Sequence, residues 1–181
     1  MRLKAIRIKT KYWRPGTDYV IEVMRAVEGL LQDGDIVTVS EKAISTAMGN
    51  IVDESKFSSG VVARFLVSFW TRRIWSGPLG KLANLRDGTR ERLRNFPLIE
   101  GAVHKQVSLH YVGVLQSLRH YSEGGIDASN LPYSYVSLPL REPKGEALRL
   151  HMALSKRSDV SIILVDGDTT YSWRSLHLSP R

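Results

Sequence analysis

The sequence predicts an α+β protein with a mixed sheet and helices packed on it, because strand-like and helix-like segments alternate without the rhythm of a doubly wound sheet. Two strands are clearest: residues 36–39 are rich in β-branched side chains, and 160–165 form an apolar run. Apolar side chains at helical spacing over 20–31 indicate a packed helix. The 181 residues suit one domain over 1–181, with a sub-lobe boundary near 95–105.

Local patterns predict the remaining elements. Residues 3–9 alternate apolar and basic side chains and are expected to form a short strand. Pro15-Gly16 indicates a turn, after which Thr17 or Asp18 caps a helix that ends at residues 33–35. Further segments are expected as a short helix over 41–48, an apolar helix over 57–75, strands over 107–118 and 135–138, and a helix over 142–157.

Composition narrows the chemistry. The chain has no cysteine, which excludes disulfides, zinc–thiolate sites, iron–sulfur clusters and thiol nucleophiles, so any metal must have oxygen or imidazole ligands. A net charge of +8 favours nucleic acid, a nucleotide or a phosphorylated coenzyme as partner, although a solvated basic surface would look the same. No segment reaches the ~20 apolar residues of a membrane span, and Met1–Lys4 lead into no signal-peptide core. We therefore expect a cytoplasmic protein.

Common catalytic and phosphate-binding motifs are missing from the sequence. Gly80-Lys81 lacks the upstream glycine of a P-loop, and the chain contains neither a Gly-x-Gly-x-x-Gly fingerprint nor a Gly-x-Ser-x-Gly elbow nor a His-Glu-x-x-His helix. The histidines show no spacing that indicates a metal site, and we expect them on the surface or in the core.

Two acidic loops could hold a metal ion. The first, Gly124–Asn130, combines paired glycines, which allow close backbone approach, with the oxygen groups of Asp127, Ser129 and Asn130. The second, Asp166–Thr170, follows the strand predicted at 160–165. Carboxylate and hydroxyl oxygens suit Mg²⁺ or Mn²⁺, which commonly share ligands with substrate phosphates. On spacing alone each loop is a weak signal, and an Asp-Gly-Asp sequence is more often an ordinary turn.

Five segments, in order, resemble the family of gamma-glutamyl ligases that act on the deazaflavin coenzyme F-420. They are Arg14–Asp18, the run Asp33–Ser45, Gly125–Asn130 with the sequence Gly-Ile-Asp-Ala-Ser-Asn, Leu138-Pro139 and Asp168-Thr169. Residues 56–123 match poorly and are interpreted as an insertion particular to an archaeal branch. The family continues beyond the Asp-Thr strand, so we expect this chain to lack the C-terminal part.

The resemblance implies a gamma-glutamyl-ligase-like domain and a ligase that uses GTP and Mg²⁺ or Mn²⁺. It would add L-glutamate to the carboxylate of a phospho-deazaflavin through an acyl phosphate, a reaction in which positioning and charge neutralisation dominate. It also implies a homodimer, which the apolar segment 57–75 favours.

The resemblance also implies site residues. Those expected to hold the metal are Asp127, Asp168 and Thr169. Those expected at the nucleotide are Thr10, Lys11, Tyr12, Trp13, Glu41, Lys42, Thr46 and Asn130. No residue is assigned a covalent catalytic role. At Thr46 the family usually has lysine, which removes a phosphate contact.

Two other hypotheses compete with an active ligase. One is a non-catalytic nucleotide-binding relative of the same family. The other is a nucleic-acid-binding protein, based on the basic stretch 72–94 with Trp70, Trp75 and Phe96 nearby. Core aromatic residues at helical spacing would look the same, and no nucleic-acid-binding motif accompanies them.

Overall fold

The computed structural model describes residues 4–120, 125–128, 131–132 and 134–166, and the backbone alone at 171–173 and 176–178. By its internal packing the chain divides into two units. Unit 1 comprises Met1–Asn50 and Pro139–Asp166, and unit 2 comprises Ile51–Leu138 and Gly167–Arg181. Helices and small sheets occur together, which confirms the predicted α+β class.

The α-helices are α1 (Tyr19–Ala26), α2 (Glu41–Ala47), α3 (Val61–Phe65), α4 (Pro78–Leu82), α5 (Asp87–Arg94), α6 (Leu98–Tyr111), α7 (Gly113–Ser117) and α8 (Pro143–Leu154). A 3-10 turn covers Glu54–Lys56, and a π-helix covers Leu66–Trp75. The strands are β1 (Asp35–Ser40), β2 (Ile51–Asp53), β3 (Tyr135–Ser137), β4 (Val160–Val165), β5 (Tyr171–Trp173) and β6 (Leu176–Leu178).

Unit 1 is built on a parallel pair of strands, β1 and β4, in register from Asp35 opposite Val160 to Ser40 opposite Val165. Its core joins α1, α2 and α8 to this pair through buried apolar side chains, among them Ile44, Leu150 and Leu154. The predicted strands 36–39 and 160–165 are confirmed, as is the helix predicted over 142–157, which begins at Pro143. Proline suits this first helical position because its missing N–H has no intrahelical role there.

The first helix starts where the sequence predicted and stops earlier. The Asp18 carboxylate accepts the backbone N–H groups of Val20 and Ile21, so it caps α1. The prediction that this helix runs to residues 33–35 is wrong, because α1 ends at Ala26. Gly29 has a φ of 72°, a left-handed conformation that interrupts helical hydrogen bonding.

Unit 2 combines an antiparallel pair, β2 and β3, with the helices α3 to α7 and the π-helix. A buried apolar cluster of unit 2 consists of Val107 on α6, Val136 on β3 and Ile126 in the loop before β3. Val52 and Phe57 pack against this cluster. The backbones of β5 and β6 form a second antiparallel pair. The strand predicted over 135–138 is confirmed as β3. Among the described residues, no helix has the length and apolar character needed to cross a membrane.

Two predicted strands are wrong. Of residues 3–9, those that are described, 4–9, are exposed and form no strand, because an alternating segment is stable only beside a partner strand. Residues 107–118 lie in α6 and α7 instead. The apolar run in that region fits either period, and burial of Gly101, Lys105 and Ser108 at helical spacing favours the helix. The helix predicted over 57–75 begins at Val61 and becomes a π-helix at Leu66.

Candidate functional site

The N-terminal segment of unit 1 carries four of the residues predicted at the nucleotide. Thr10, Lys11 and Tyr12 are exposed, whereas Trp13 is buried in the core of unit 1. The indole Nε1 of Trp13 is buried and has no hydrogen-bond partner among the described residues. A buried N–H without an acceptor costs about 1–3 kcal/mol, so this donor is suited to an acceptor that the described part of the chain does not supply.

A tight turn holds this segment against α2. Pro15 and Gly16 are its central residues, Gly16 has a φ of 86°, and the N–H of Thr17 donates to Arg14 O at 2.9 Å. This is the arrangement of a type II turn, which requires a positive φ at its third residue. The N–H of Gly16 then donates to Ala47 O at 2.8 Å, so the turn is docked on the end of α2.

Helix α2 carries the other nucleotide residues predicted in unit 1. Glu41 is buried, and its Oε1 accepts the backbone N–H of Leu140 at 2.8 Å. Thr46 is also buried, and its hydroxyl donates to Lys42 O at 2.8 Å. The Thr46 proton is therefore used within the helix, whereas the lysine common in the family would place an ammonium there.

The two parallel strands of unit 1 end at the same edge of their sheet. Ser40 of β1 is paired with Val165 of β4, so the residues that follow them, Glu41 and Asp166, leave the sheet at the same edge. Loops at the carboxyl ends of parallel strands are common places for ligand sites. Asp168 and Thr169, which we predicted as metal ligands, lie outside the described residues.

Unit 2 presents Asp127 from a loop tied to β3. Asp127 and Ser137 form an antiparallel bridge, with N–H···O distances of 3.1 and 2.9 Å, and the Ser137 hydroxyl donates to Asp127 O at 3.2 Å. Gly125 has a φ of 89°, and Ile126 is buried against Val107 and Val136. The backbone of Asp127 is thus fixed on both sides of its Cα. Asn130, predicted at the nucleotide, lies outside the described residues.

Polar side chains at the other end of the β2–β3 pair are already paired. The Asp53 carboxylate accepts the Ser134 hydroxyl at 2.5 Å and both the N–H and the hydroxyl of Ser55. These bonds, that from Ser134 first, hold the pKa of Asp53 below its ordinary 3.8. Glu54 contacts His104 Nδ1 at 2.6 Å. This pair links the 3-10 turn after β2 to α6.

The described residues hold one of the three predicted metal ligands, Asp127. Within this part of the chain, no group of three or more His, Asp or Glu side chains could hold a metal ion. The donor set predicted here, carboxylates plus a threonine hydroxyl, is hard oxygen, which fits Mg²⁺ or Mn²⁺. The seven described nucleotide residues all lie in unit 1 and Asp127 lies in unit 2.

Sequence reasoning missed the polar centre of unit 2. Lys105 is fully buried on α6, and the half-buried Trp70 and Trp75 both direct their indole N–H groups at Leu118 O. Lys105 lies two residues before the segment 107–118, and the strand predicted there obscured its place on a helix. The arginines of the basic stretch likewise donate to backbone carbonyls in several places.

Fold and loops together define the class: an α+β protein that presents a glycine–aspartate loop from a short antiparallel pair, in a chain that also carries a parallel-strand unit with a docked N-terminal turn. The chain belongs to the F420-0:gamma-glutamyl ligase family, whose profile matches residues 7–177. The resemblance noted in the sequence is therefore confirmed, and the matched range includes residues 56–123.

A curated relative extends the comparison. The chain is 36% identical over 178 residues to an uncharacterized protein, MJ1361, of Methanocaldococcus jannaschii. The similarity covers 97% of this chain and 61% of the relative. The chain therefore spans about three-fifths of the length of the curated relative that it matches.

Proposed function

We propose that this protein adds L-glutamate to the carboxylate of a phospho-deazaflavin, coenzyme F-420 without its glutamate tail, in a reaction that consumes GTP and requires Mg²⁺ or Mn²⁺. Family membership over residues 7–177 supports a ligase of this kind. The observation that carries the proposal is the Gly125–Asp127 loop, whose sequence resembles the family motif and whose backbone is fixed by the bridge to Ser137.

The proposed chemistry has two steps. First, the carboxylate oxygen of the deazaflavin substrate attacks the γ-phosphorus of GTP; the bond to the β–γ bridging oxygen breaks, and GDP leaves. Second, the amine of glutamate attacks the acyl carbon, the carbon–oxygen bond to phosphate breaks, inorganic phosphate leaves and the amine loses a proton. Neither step needs a covalent bond to the protein, so positioning and electrostatics supply the catalysis.

The proposed ligands of the metal and of the nucleotide come from different parts of the chain. Asp127, with Asp168 and Thr169, would hold the divalent ion, which when bound neutralises charge on the phosphates. The nucleotide would lie against Thr10–Trp13 and the start of α2, with Asn130 as a further contact. The buried Trp13 Nε1, which has no hydrogen-bond partner among the residues that the structure describes, supports this assignment, because a nucleotide oxygen would supply an acceptor. The net charge of +8 favours two polyanionic substrates.

A non-catalytic nucleotide-binding relative is the second candidate, and Thr46 favours it. The Thr46 hydroxyl donates to Lys42 O, so this side chain offers no proton to a phosphate where the family usually has a lysine. Such a protein would bind GTP with the metal without forming the amide.

We propose a homodimeric, cytoplasmic protein. Support for assembly comes from α3 and the π-helix, where Val61, Phe65 and Phe69 are 84, 54 and 42% exposed. Their spacing places them on one side of this segment, and the Phe65 and Phe69 rings stack at 5.3 Å. An exposed apolar face of this kind is typical of a surface that another molecule covers.

Calorimetric titration with GTP, with and without Mn²⁺, tests the proposal. We expect the wild-type chain to bind GTP with Mn²⁺ present and to bind far more weakly without it, because the ion neutralises the phosphates and carboxylates together. Asp127→Asn should remove the metal-dependent part. Asp87→Asn is the matched control, since the Asp87 side chain is 97% exposed on α5, and it should bind like wild type.

Three outcomes separate the hypotheses. Metal-independent GTP binding that Asp127→Asn leaves unchanged would contradict the site. Glutamate incorporation is measured by mass spectrometry of the deazaflavin. Metal-dependent GTP binding without such incorporation would indicate the non-catalytic relative. A nucleic-acid binder would instead lose affinity steeply with added salt and respond to substitution of exposed arginines such as Arg92.

A further inference from the structure

A buried lysine joins helix α6 of unit 2 to the end of the next helix, α7. The ammonium Nζ of Lys105, on α6, donates to Ser117 O at 2.8 Å and to Arg119 O at 2.6 Å. These carbonyls stand at the end of α7, where the last carbonyl groups of a helix have no partner within it. Lys105 is completely buried, and these two oxygens are among the groups that solvate its charge.

The intervening carbonyl is held from a different element. Leu118 O accepts the indole N–H of Trp70 and that of Trp75, each at 2.6 Å. In an α-helix, at about 100° per residue, side chains five positions apart diverge by about 140°. In a helix closed by i→i+5 bonds they lie on the same side, so the π-helix Leu66–Trp75 is what brings both indoles to one acceptor. His120, which is buried, lies against the Trp75 ring at 4.7 Å.

The same helix that carries Lys105 also supports the Asp127 loop. Val107, two residues further along α6, packs in the buried cluster with Ile126, and Ile126 immediately precedes Asp127. Two residues apart on an α-helix lie about 200° apart around its axis. Helix α6 is therefore held on one side by the carbonyls of Ser117 and Arg119 and supports the aspartate loop on the other.

We propose that Lys105 is a positioning residue for Asp127. Lys105 fixes α6 against the end of α7 and so fixes the position of Val107, which packs against Ile126. The position of Ile126 in turn determines where the Asp127 carboxylate lies. This role rests on the proposed function, in which Asp127 holds the metal. A buried ammonium is costly wherever an apolar side chain could pack instead. The presence of Lys105 on α6 is explained if the exact position of α6 relative to α7 matters more than the stability that an apolar side chain would add.

Substitution Lys105→Met tests the proposal in the full chain, because methionine keeps an unbranched side chain and removes the donors. Amide hydrogen exchange should become faster at Asp127, whose N–H donates to Ser137 O at 3.1 Å in the native protein. The dissociation constant for Mn²⁺ in the presence of GTP should rise by about tenfold, the size typical of lost support behind a metal ligand. Both readouts are taken well below the unfolding temperature.

A control separates positioning from general destabilisation. Leu93→Val trims a fully buried residue on α5 of the same unit, and it should lower the melting temperature while leaving Asp127 exchange and the Mn²⁺ dissociation constant at wild-type values. If Lys105→Met fails to fold, Lys105→Gln takes its place: its shorter, uncharged amide cannot reproduce both bonds of the lysine to Ser117 O and Arg119 O, and the same changes are expected at smaller size.

The outcomes distinguish this proposal from the one on which it rests. Wild-type Asp127 exchange in Lys105→Met, or in Lys105→Gln where the methionine variant does not fold, would overturn the positioning role. Equal effects of Lys105→Met and Leu93→Val on Mn²⁺ binding would overturn it too. Failure of the wild-type chain to bind Mn²⁺ with GTP would refute the proposed function, and Asp127 exchange alone would then decide whether Lys105 positions the loop.

Discussion

The buried carboxylate of Glu41 accepts the backbone N–H of Leu140 at 2.8 Å, a hydrogen bond that spans 99 residues of sequence. Glu41 is the first residue of α2, and Leu140 lies between β3 and α8. The bond therefore ties the start of α2 to the point where the chain returns to unit 1. Glu41 was predicted as a nucleotide contact from the family motif, and the structure gives it this structural partner as well.

Removal of the Glu41 carboxylate should destabilise unit 1. In Glu41→Ala the buried N–H of Leu140 loses its acceptor, and we expect the free energy of unfolding to fall by about 1–3 kcal/mol. Glu41→Gln keeps an acceptor oxygen and should lose less. Urea unfolding measures both. Glu28→Ala is the control, because Glu28 and its partner Arg157 are exposed, and it should change stability by less than about 1 kcal/mol. Equal losses in Glu28→Ala and Glu41→Ala would contradict this prediction.

Alkaline pH should weaken the fold through Tyr19. Its hydroxyl donates to Glu146, and burial, followed by that bond and the Glu146 charge, raises the pKa of Tyr19 from 10.0 to about 12. The unfolded chain loses this proton first, near pH 10. The stabilisation is therefore complete below pH 10 and is lost as the pH rises towards 12, at about 1.4 kcal/mol per pH unit.

Tyr19→Phe isolates that effect from the titration of lysines, which both proteins share. Urea unfolding of each at pH 9 and pH 11 should show a larger loss in wild type than in Tyr19→Phe. Parallel loss in the two proteins would show that Tyr19 does not contribute to the pH dependence.

Unit 1 could be predicted well because its signals are local. A β-branched run gave β1, an apolar run gave β4, and Asp18 and Pro143 gave the starts of α1 and α8. Each depends on a preference that acts within a few residues. In unit 2, Asp127 was proposed from the same kind of local signal, since glycine and oxygen donors adjoin it in sequence, and its role as a metal ligand stays a prediction.

Much of unit 2 beyond β3 and the helix that begins at Val61 could not be predicted, because its arrangement depends on distant contacts. Residues 107–118 contain β-branched and apolar side chains that suit a strand. A helix becomes the better solution only because neighbouring elements bury Gly101, Lys105 and Ser108, which are helically spaced on α6. The π-helix has no local signal at all. Its function as a support for Leu118 O becomes visible only when Trp70 and Trp75 are placed in space.

Two glycines of unit 2 should respond to alanine in opposite directions. A Cβ at Gly80 would lie 2.2 Å from Trp75 O, a backbone atom at the end of the π-helix, so Gly80→Ala must displace the chain and should cost more than about 1 kcal/mol. A Cβ at Gly88, within α5, meets nothing within 4 Å, so Gly88→Ala should stabilise the protein by about 0.4–1 kcal/mol. Thermal unfolding of both variants checks this, and a stable Gly80→Ala would mean that the close approach to Trp75 is absent in solution.

The exposed face formed by Val61, Phe65 and Phe69 should govern assembly. If two copies meet there, Phe65→Asp places a charge in the apolar contact and should weaken the dimer by about tenfold or more. The fold should be kept, because the Phe65 side chain is 54% exposed. Leu115→Asp is the matched control: Leu115 is 81% exposed on α7, outside this face, and its substitution should leave the dimer intact. Sedimentation velocity at micromolar concentration measures the three proteins. A monomeric wild-type chain would refute the dimer, and a Phe65→Asp protein as dimeric as wild type would show that the subunits meet at another surface.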